Sequence, residues 1–338
     1  MADTVTRRLV SVPGGRIHLA EQGSGPLVLL VHGFPESWYS WRHQLPALAA
    51  AGYRAVAIDV RGYGRSSKPA DVAAYRMLDH VADNVGVVQA LGEQQAVVVG
   101  HDWGSPIAAN SALLRPDVFT AVGLLSVPYS PRGARRPTDV LAALDDGHGG
   151  EFYISYFQAP GRAEAEIEPD VRAWLTSIYA AMSGGVVSRD EIVPMLFVRP
   201  GGRLADRFPD GLGRPDWMSG EDLNFFAGEF ERTGLTGPLN RYRNVDRDWV
   251  DLAAWHHAPI TQPSLFIGGE LDGPTTWQAR SIANFAGTLP GLLGSHILDG
   301  CGHWVQQERP DETSRLLIDW LRNLPAPGAP GAPGVPAA

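Results

Sequence analysis

The length, composition and charge of the chain limit the kinds of protein it can be. Its 338 residues, 44% of them apolar, are enough for one large α/β domain with an insertion, or for two domains. The formal net charge is −9 and no run of lysine or arginine is longer than two, which argues against nucleic acid or an anionic membrane as a partner. A single cysteine excludes an internal disulfide framework.

The N-terminal residues contain no recognisable targeting signal. Residues 1–8 lead into no apolar stretch of the kind found in signal peptides, and no apolar run of 18 residues follows. We therefore expect a cytoplasmic protein that does not associate with a membrane. The sequence leaves the oligomeric state open, with a homodimer as one candidate.

Strand and helix signals alternate through the first 127 residues. Short continuous apolar runs predict buried strands, and longer stretches that end near glycine predict helices. The predicted strands are 9–12, 16–20, 26–31, 54–58, 95–99 and 120–127, and the predicted helices are 37–51, 75–91 and 106–114. This alternation predicts an α/β fold with a mostly parallel sheet and helices on both faces.

The pattern changes after residue 127 and returns near residue 259. Residues 128–258 are mostly helical or irregular in character, whereas strands at 264–268 and 295–298 and helices near 277–286 and 310–324 resume the alternation. We therefore predict an α/β core of 1–127 and 259–324 with an inserted, mainly helical cap of 128–258. Residues 325–338 are rich in proline, alanine and glycine and are predicted to form a disordered tail.

The segment Gly100-His-Asp-Trp-Gly-Ser105 has the pattern of a nucleophile elbow. In such a turn the chain passes sharply from strand to helix and lifts one side chain above the sheet, and flanking glycines allow the close approach of the backbone. Asp102 occupies the place where an esterase carries serine. A carboxylate there predicts attack on an electrophilic sp³ carbon, which gives an ester that water must then cleave. The alternative is that Asp102 only caps the next helix.

Two further residues complete a possible catalytic triad. Elbow enzymes carry nucleophile, acid and histidine in that chain order, and Asp272 and His303 follow Asp102 in loops after the last two predicted strands. Open α/β sheets place their active sites at these carboxyl ends of strands. Glu270 is the alternative acid, and the alternative for His303 is a core or capping histidine.

The turn His32-Gly33-Phe34-Pro35 follows a buried strand and predicts an oxyanion hole. Its donors are expected to be the backbone N–H groups of Phe34 and of Trp103, the residue after the nucleophile. An ordinary turn is the alternative. We expect no metal site and no cofactor, since His256 and His257 have no partner at metal-ligand spacing.

Taken together, these motifs resemble those of a soluble epoxide hydrolase of the α/β-hydrolase superfamily. The resemblance runs from about Arg8 to Leu324 and is densest in six segments. These begin with His32-Gly-Phe-Pro-Glu-Ser-Trp-Tyr-Ser-Trp-Arg42, Asp59-Val-Arg-Gly-Tyr-Gly-Arg-Ser66 and the elbow, and continue with Tyr156-Phe-Gln-Ala-Pro-Gly161, Gly237-Pro-Leu-Asn-Arg-Tyr-Arg-Asn244 and Cys301-Gly-His-Trp304. It implies an α/β-hydrolase fold and the conversion of a small apolar epoxide and water to a vicinal diol.

The resemblance also implies two tyrosines in the cap, placed over the nucleophile. By motif they are Tyr156 and Tyr242, with Tyr153 as an alternative to Tyr156. Two phenols suit this reaction because ring opening produces an alkoxide, which leaves easily only if it receives a hydrogen bond or a proton. Packing of aromatic side chains in the cap is the other interpretation. Family members often carry an aromatic residue where Arg241 stands, so the packing beside it is expected to differ.

Other functions compete with this interpretation. A haloalkane dehalogenase shares the aspartate nucleophile and the following tryptophan, but its leaving halide needs N–H donors and no acid. A ligand sensor without catalytic activity is a second alternative, and an esterase is disfavoured because Ser105 is misplaced for the elbow. The substrate pocket is expected to be apolar and to include four side chains: Trp38, Trp41, Phe157 and Met195.

Overall fold

A computed structural model describes residues 4–186 and 188–325 of the chain. Its strands are β1 (Thr6–Val12), β2 (Gly15–Gln22), β3 (Leu27–Val31), β4 (Arg54–Ile58), β5 (Ala96–His101), β6 (Phe119–Leu125), β7 (Glu151–Phe152), β8 (Phe197–Val198), β9 (Ser264–Gly269) and β10 (Leu292–Leu298). Eight of them form one sheet in the order β1-β2-β4-β3-β5-β6-β9-β10, and β7 pairs with β8. The pairs β1–β2 and β2–β4 are antiparallel, and all others of the large sheet are parallel.

The helices flank this sheet and fill the segment between β6 and β9. They are α1 (Gln44–Ala50), α2 (Met77–Ala90), α3 (Gly104–Leu114), α4 (Pro137–His148), α5 (Tyr153–Gln158), α6 (Arg162–Ile167), α7 (Val171–Ala181), α8 (Arg189–Ile192), α9 (Gly220–Thr233), α10 (Thr236–Tyr242), α11 (Val245–Asp251), α12 (Gly273–Trp277), α13 (Ala279–Ala283), α14 (Phe285–Thr288), α15 (Val305–Glu308) and α16 (Pro310–Arg322). Short 3-10 turns occur at Trp38–Trp41, Val72–Tyr75, Glu168–Asp170, Pro194–Leu196, Leu204–Arg207 and Ala253–Trp255.

The central strands are buried on both faces, as their continuous apolar runs predict. Because side chains alternate along a strand, Leu29 and Val98 enter one core cluster, and Val28, Leu30 and Val97 enter the cluster on the opposite face. The predicted α/β architecture, with a mostly parallel sheet between helices, is confirmed. The sheet therefore presents the ends of β3, β5, β6, β9 and β10 along one edge.

Two predicted helices differ from those observed. The stretch 37–51 is a 3-10 turn followed by α1, because Pro46 has no N–H to donate to the carbonyl of Arg42. Proline is tolerated in the first turn of a helix, so α1 begins at Gln44 and does not continue from the preceding turn. The helix expected near 277–286 begins earlier and is divided into α12, α13 and α14. The side chain of Asp272 caps α12 by accepting a hydrogen bond from the N–H of Thr275, which sets the earlier start.

The segment between β6 and β9 contains α4 to α11 and the β7–β8 pair. Within residues 4–186 and 188–325, no helix combines the length and the apolar character needed to cross a bilayer. The predicted tail, 325–338, lies outside the described residues except for Pro325.

Candidate active site

Asp102 lies in a sharp turn between β5 and α3, as the elbow pattern predicts. Its φ angle is +52°, a left-handed value that non-glycine residues rarely adopt. The glycines around it are needed for close packing. A Cβ atom on Gly100 would come within 1.9 Å of the carbonyl oxygen of Gly104, and one on Gly104 within 2.0 Å of that of Val31. The turn therefore holds the Asp102 side chain above the carboxyl ends of the strands.

The carboxylate of Asp102 is held between the turn after β3 and the loop after β10. Its Oδ1 accepts a hydrogen bond of 2.7 Å from the N–H of Phe34, the donor expected for the oxyanion hole. Its Oδ2 lies 3.4 Å from Nε2 of His303, which is an ion-pair distance without a well-aligned hydrogen bond. The other predicted donor, the N–H of Trp103, stays a prediction. One oxygen is thus fixed by the backbone while the other faces the histidine.

His303 is fully enclosed and paired with two carboxylates. Its Nδ1 lies 2.7 Å from Oδ1 of Asp272, and its side chain is 1% exposed. Burial alone would lower the pKa of His303, but the charges and hydrogen bonds of Asp272 and Asp102 outweigh burial and raise the pKa to about 10. At neutral pH the free enzyme therefore holds an imidazolium between two carboxylates.

Asp272 has the geometry expected of the triad acid. Its Oδ2 accepts hydrogen bonds of 2.7 Å from Oγ of Ser126 and 2.6 Å from Oγ1 of Thr275, so the carboxylate has one fixed orientation toward His303. Glu270, the alternative acid, lies near the surface, where it accepts a hydrogen bond from the N–H of Gly300. The structure therefore favours Asp272.

Ser126 was not identified from the sequence. It follows β6 with a φ of +69°, and its Oγ also lies 2.9 Å from Nδ1 of His303. The signal that could have found it is topological, since Ser126 directly follows a parallel strand adjacent to the nucleophile strand.

Glu36, a second residue that sequence reasoning missed, links the loops of the site. It accepts hydrogen bonds from the N–H of Gly33 at 3.0 Å, from Nδ1 of His101 at 2.7 Å and from the amides of Gln306 and Gln307. Burial would raise the pKa of Glu36, but the charge and hydrogen bond of His101 lower it to about 2. This carboxylate therefore connects the turn after β3 to β5 and to α15, the helix that follows His303.

A cavity opens onto Asp102 and His303. The other side chains and loops around it are mostly apolar: Phe34, Tyr153, Phe157, Ile178, Ala181, Met182, Ile192, Met195, Leu196, Arg207, Phe208, Tyr242, Leu271, Gly273 and Pro274. Phe157 and Met195, both predicted pocket residues, are among them.

Two predicted pocket residues lie elsewhere. Trp38 and Trp41 belong to the core cluster on the face of the sheet that packs against α1 and α16, and Trp41 is completely buried there. Placing them in the pocket was therefore wrong. They occupy the 3-10 turn after the oxyanion turn, whose inward face packs against the sheet and not toward the cavity.

Two tyrosines of the segment between β6 and β9 line this cavity together with Asp102. Tyr153 begins α5 and Tyr242 ends α10, and their ring centres lie 6.2 Å apart. Gln158 connects the two helices through a 2.9 Å hydrogen bond to the carbonyl of Tyr242. Burial, and then the charge of Asp102, raise the pKa of both phenols, so both keep their protons.

Tyr156, the tyrosine predicted by motif, points away from the cavity, so that placement was wrong. Its hydroxyl donates a hydrogen bond of 2.9 Å to Glu166, and the guanidinium of Arg162 lies 3.6 Å from its ring centre. Tyr153 and Phe157 are four residues apart and share the cavity face of α5, whereas Tyr156 lies at the side of the helix. This i, i+4 spacing to Phe157 is the signal that favours Tyr153.

The charge of His303 leads to a prediction about stability. Its pKa rises from an ordinary 6.5 to about 10 on folding. The folded state therefore binds this proton more tightly, so the stabilisation is complete below about pH 6.5 and is lost as the pH rises through about 10. Urea unfolding of the wild type and His303→Gln across this window should give a difference in the free energy of unfolding that shrinks with increasing pH. A constant difference would show that His303 is uncharged in the folded enzyme.

Comparisons with known proteins place this chain in a family. The family model of the alpha/beta hydrolase fold matches residues 26–310. The chain is 44% identical to epoxide hydrolase B of Mycobacterium tuberculosis, over 94% of this chain and 98% of that protein. It superimposes on the structure of an epoxide hydrolase from an endophytic Streptomyces with a TM-score of 0.92 and 71% identity, covering 94% of this chain and 95% of that one. For epoxide hydrolase A of Mycobacterium thermoresistibile the TM-score is 0.88 and the identity 43%, over 95% and 99% of the two chains.

Proposed function

This chain belongs to the α/β-hydrolase family and, within it, to the epoxide hydrolases, and on that premise we propose that Asp102 opens the epoxide ring. Oδ2 of Asp102 attacks an oxirane carbon, the ring C–O bond breaks, and an ester joins the enzyme to the substrate. The observation that carries this proposal is that the Asp102 carboxylate shares one cavity with two protonated phenols and contacts His303.

Tyr153 and Tyr242 act on the oxygen that leaves the ring. Both phenols line the cavity and keep their protons, so both can donate hydrogen bonds to the epoxide oxygen. One of them protonates the alkoxide as the ring opens. This proton transfer is favourable because an alkoxide is more basic than a phenolate. A proton donor of this kind typically contributes about 10²–10⁴-fold to the rate.

His303 acts in the second step. Formation of the ester removes the charge of Asp102, one of the two carboxylates that raise the pKa of His303, so the imidazolium releases its proton more easily. That proton passes to the phenolate left by ring opening and restores the tyrosine. Neutral His303 then takes a proton from water, and the hydroxide attacks the carbonyl carbon of the ester. The N–H of Phe34 stabilises the oxyanion. When this intermediate collapses, the leaving alkoxide takes the proton of the new Asp102 carboxyl group, so the diol departs and Asp102 is again a carboxylate beside the His303 imidazolium.

A single turnover in ¹⁸O-labelled water tests this route. If water attacks the carbonyl carbon, one labelled oxygen should stay in Asp102 and the first diol should contain none. Peptide mass spectrometry of the enzyme and gas chromatography–mass spectrometry of the diol measure both. Label only in the diol would mean that water attacks the substrate directly and would overturn the ester mechanism.

A comparison of substrates separates epoxide hydrolysis from the competing functions. We expect diol from styrene oxide and little or no bromide from 1,2-dibromoethane, because the two phenols suit an oxygen leaving group. Bromide release without diol would indicate a dehalogenase, and binding without either product would indicate a ligand sensor.

The remaining predictions from the sequence concern organisation. We propose that 1–127 and 259–324 act as the core and 128–258 as the cap, with the phenols contributed by the cap. A cytoplasmic location and a homodimer remain predictions, and sedimentation velocity measurements check the second.

A further inference from the structure

One charged side chain in the cavity has no role in the proposed reaction. Arg207 ends the 3-10 turn Leu204–Arg207 and lines the same cavity as Asp102. Its guanidinium carbon lies 5.5 Å from the ring centre of Tyr153 and 5.0 Å from that of Phe208. A cation thus stands beside the phenol that faces the nucleophile, in surroundings that are otherwise mostly apolar.

The hydrogen bonds of Arg207 leave part of its guanidinium unused. Nε donates to the carbonyl of Leu204 at 3.2 Å, and Nη1 donates to the carbonyl of Met195 at 3.0 Å. Within the described residues, no carboxylate lies within 4.0 Å of the guanidinium nitrogens, and no group accepts a hydrogen bond from Nη2. The two carbonyls therefore fix the side chain without neutralising it.

Arg207 is partly buried, and the arginines that are fully buried among the described residues have carboxylate partners. The pairs are Arg61 with Asp83, Arg241 with Asp248 and Arg243 with Glu164. The acidic residue that acts on Arg207 from beyond 4.0 Å is Glu166, whose oxygens accept hydrogen bonds from Tyr156 and from the N–H groups of Leu204 and Ala205. Burial lowers the pKa of Arg207 to about 10, so it is still a cation at neutral pH. An anionic ligand would supply the missing partner.

The charges around the cavity favour the same conclusion. Asp102 and Asp272 are opposed by a single imidazolium, that of His303, so an anion bound beside them would meet a net negative charge. Arg207 supplies a second positive charge, which balances the two carboxylates of Asp102 and Asp272 together with His303. The inner cavity can thereby accept an anion that the nucleophile would otherwise repel.

Arg207 also stands at a boundary of the cavity. Together with Met195 and Phe208 it lines both the inner cavity and a wider depression on the surface. An anion bound at this point would keep part of its hydration on the outer side, while an attached apolar chain reaches inward. This reduces the cost of removing two charges from water.

We propose that Arg207 binds the carboxylate of the substrate, and that the preferred substrates are compact epoxides with an acid group a few bonds from the ring. This inference rests on the proposed function. The short spacing follows from the guanidinium, which lies beside Tyr153, the phenol that is proposed to hold the epoxide oxygen. The carboxylate would bind to Nη2 while the oxirane carbons face Asp102.

Paired substrates test the proposal. Terminal epoxy acids with one to four methylene groups between ring and carboxyl carbon are compared with their primary amides near neutral pH. For the best spacer, the wild type should prefer the acid over the amide by about 10- to 100-fold in kcat/KM, the range of a charge-assisted hydrogen bond. Arg207→Met, which keeps the length and removes the charge, should abolish this preference, and Arg207→Lys should retain part of it.

A matched control uses Arg199, which lines the outer depression and not the inner cavity. Arg199→Met removes a nearby surface cation and should leave the acid preference intact. Loss of the preference in this variant would mean that general attraction of anions, and not binding by Arg207, explains it. If Arg207→Met instead lowers kcat/KM equally for the acid and the amide, Arg207 acts on the Tyr153 hydroxyl and not on the carboxylate. That result would overturn the proposal.

Binding to the wild type provides a test that needs neither a variant nor turnover. Calorimetry should show that hexanoate binds at least about tenfold more tightly than hexanamide. Equal affinities would overturn the carboxylate site, even if Arg207→Met fails to fold. Tight binding of hexanoate without diol from any epoxide would contradict the proposed function and leave the carboxylate site standing, so the two failures are distinguishable.

Discussion

Replacing His303 by glutamine is expected to leave the enzyme alkylated on Asp102 and unable to release diol. In the proposed mechanism, ring opening needs the carboxylate and the phenols of the cavity, whereas hydrolysis of the ester needs His303 as base. We expect hydrolysis to slow by about 10²–10⁴-fold, the usual contribution of a general base, and the ester to accumulate. Intact-mass spectra of His303→Gln after addition of styrene oxide should show a protein heavier by one substrate.

Controls make this result specific. The double variant Asp102→Ala/His303→Gln should show no added mass, because it lacks the attacking oxygen. Circular dichroism checks that the single variant folds, since it leaves Asp102 and Asp272 without the imidazolium between them. A folded His303→Gln enzyme that turns over at the wild-type rate, with no adduct, would exclude the covalent route.

Removing the hydroxyls of Tyr153 and Tyr242 together should nearly abolish alkylation while the fold persists. Both phenols line the cavity with Asp102, and phenylalanine keeps their apolar volume. Either single change to phenylalanine should weaken alkylation only in part, because the second hydroxyl still holds the oxygen. The double change should slow it by at least about 10²-fold. Stopped-flow tryptophan fluorescence can measure alkylation separately from hydrolysis, with Trp103 beside the nucleophile as reporter.

The matched control for this experiment is Tyr156→Phe. Tyr156 lies on the same helix as Tyr153, but its hydroxyl binds Glu166 and not the cavity. This variant should alkylate at the wild-type rate. If instead Tyr156→Phe is slow and the double variant is fast, Tyr156 is the acid, and the placement of Tyr153 over the nucleophile has no catalytic meaning.

Much of the core could be predicted from the sequence because its signals are local. Continuous apolar runs identify strands buried on both faces, and the pattern around Asp102 fixes the elbow through glycines that have no room for a side chain. The chain order of Asp102, Asp272 and His303 then places three loops at one edge of the sheet. The fold that results from these signals is the observed one.

The segment between β6 and β9 and the pocket were harder to predict because they depend on which face a short helix presents. Tyr153 and Tyr156 lie in one six-residue helix, and the motif alone does not say which of them faces the cavity. Trp38 and Trp41 have the composition of pocket residues, yet their turn packs them into the core. Arg207 lies in an irregular part of the chain, where no periodicity shows what its side chain meets.

The groups around the cavity come from two different parts of the chain, and this has a consequence for how selectivity can change. The groups proposed to hydrolyse the ester belong to loops that follow strands of the large sheet, whereas both phenols and Arg207 come from the segment between β6 and β9. Mutations in that segment can therefore alter which ring carbon is attacked, and from which mirror-image substrate, without altering the rate of water attack. Selectivity and ester hydrolysis are thus separable traits, and exchanging residues 128–258 between relatives should transfer the first and preserve the rate of the second.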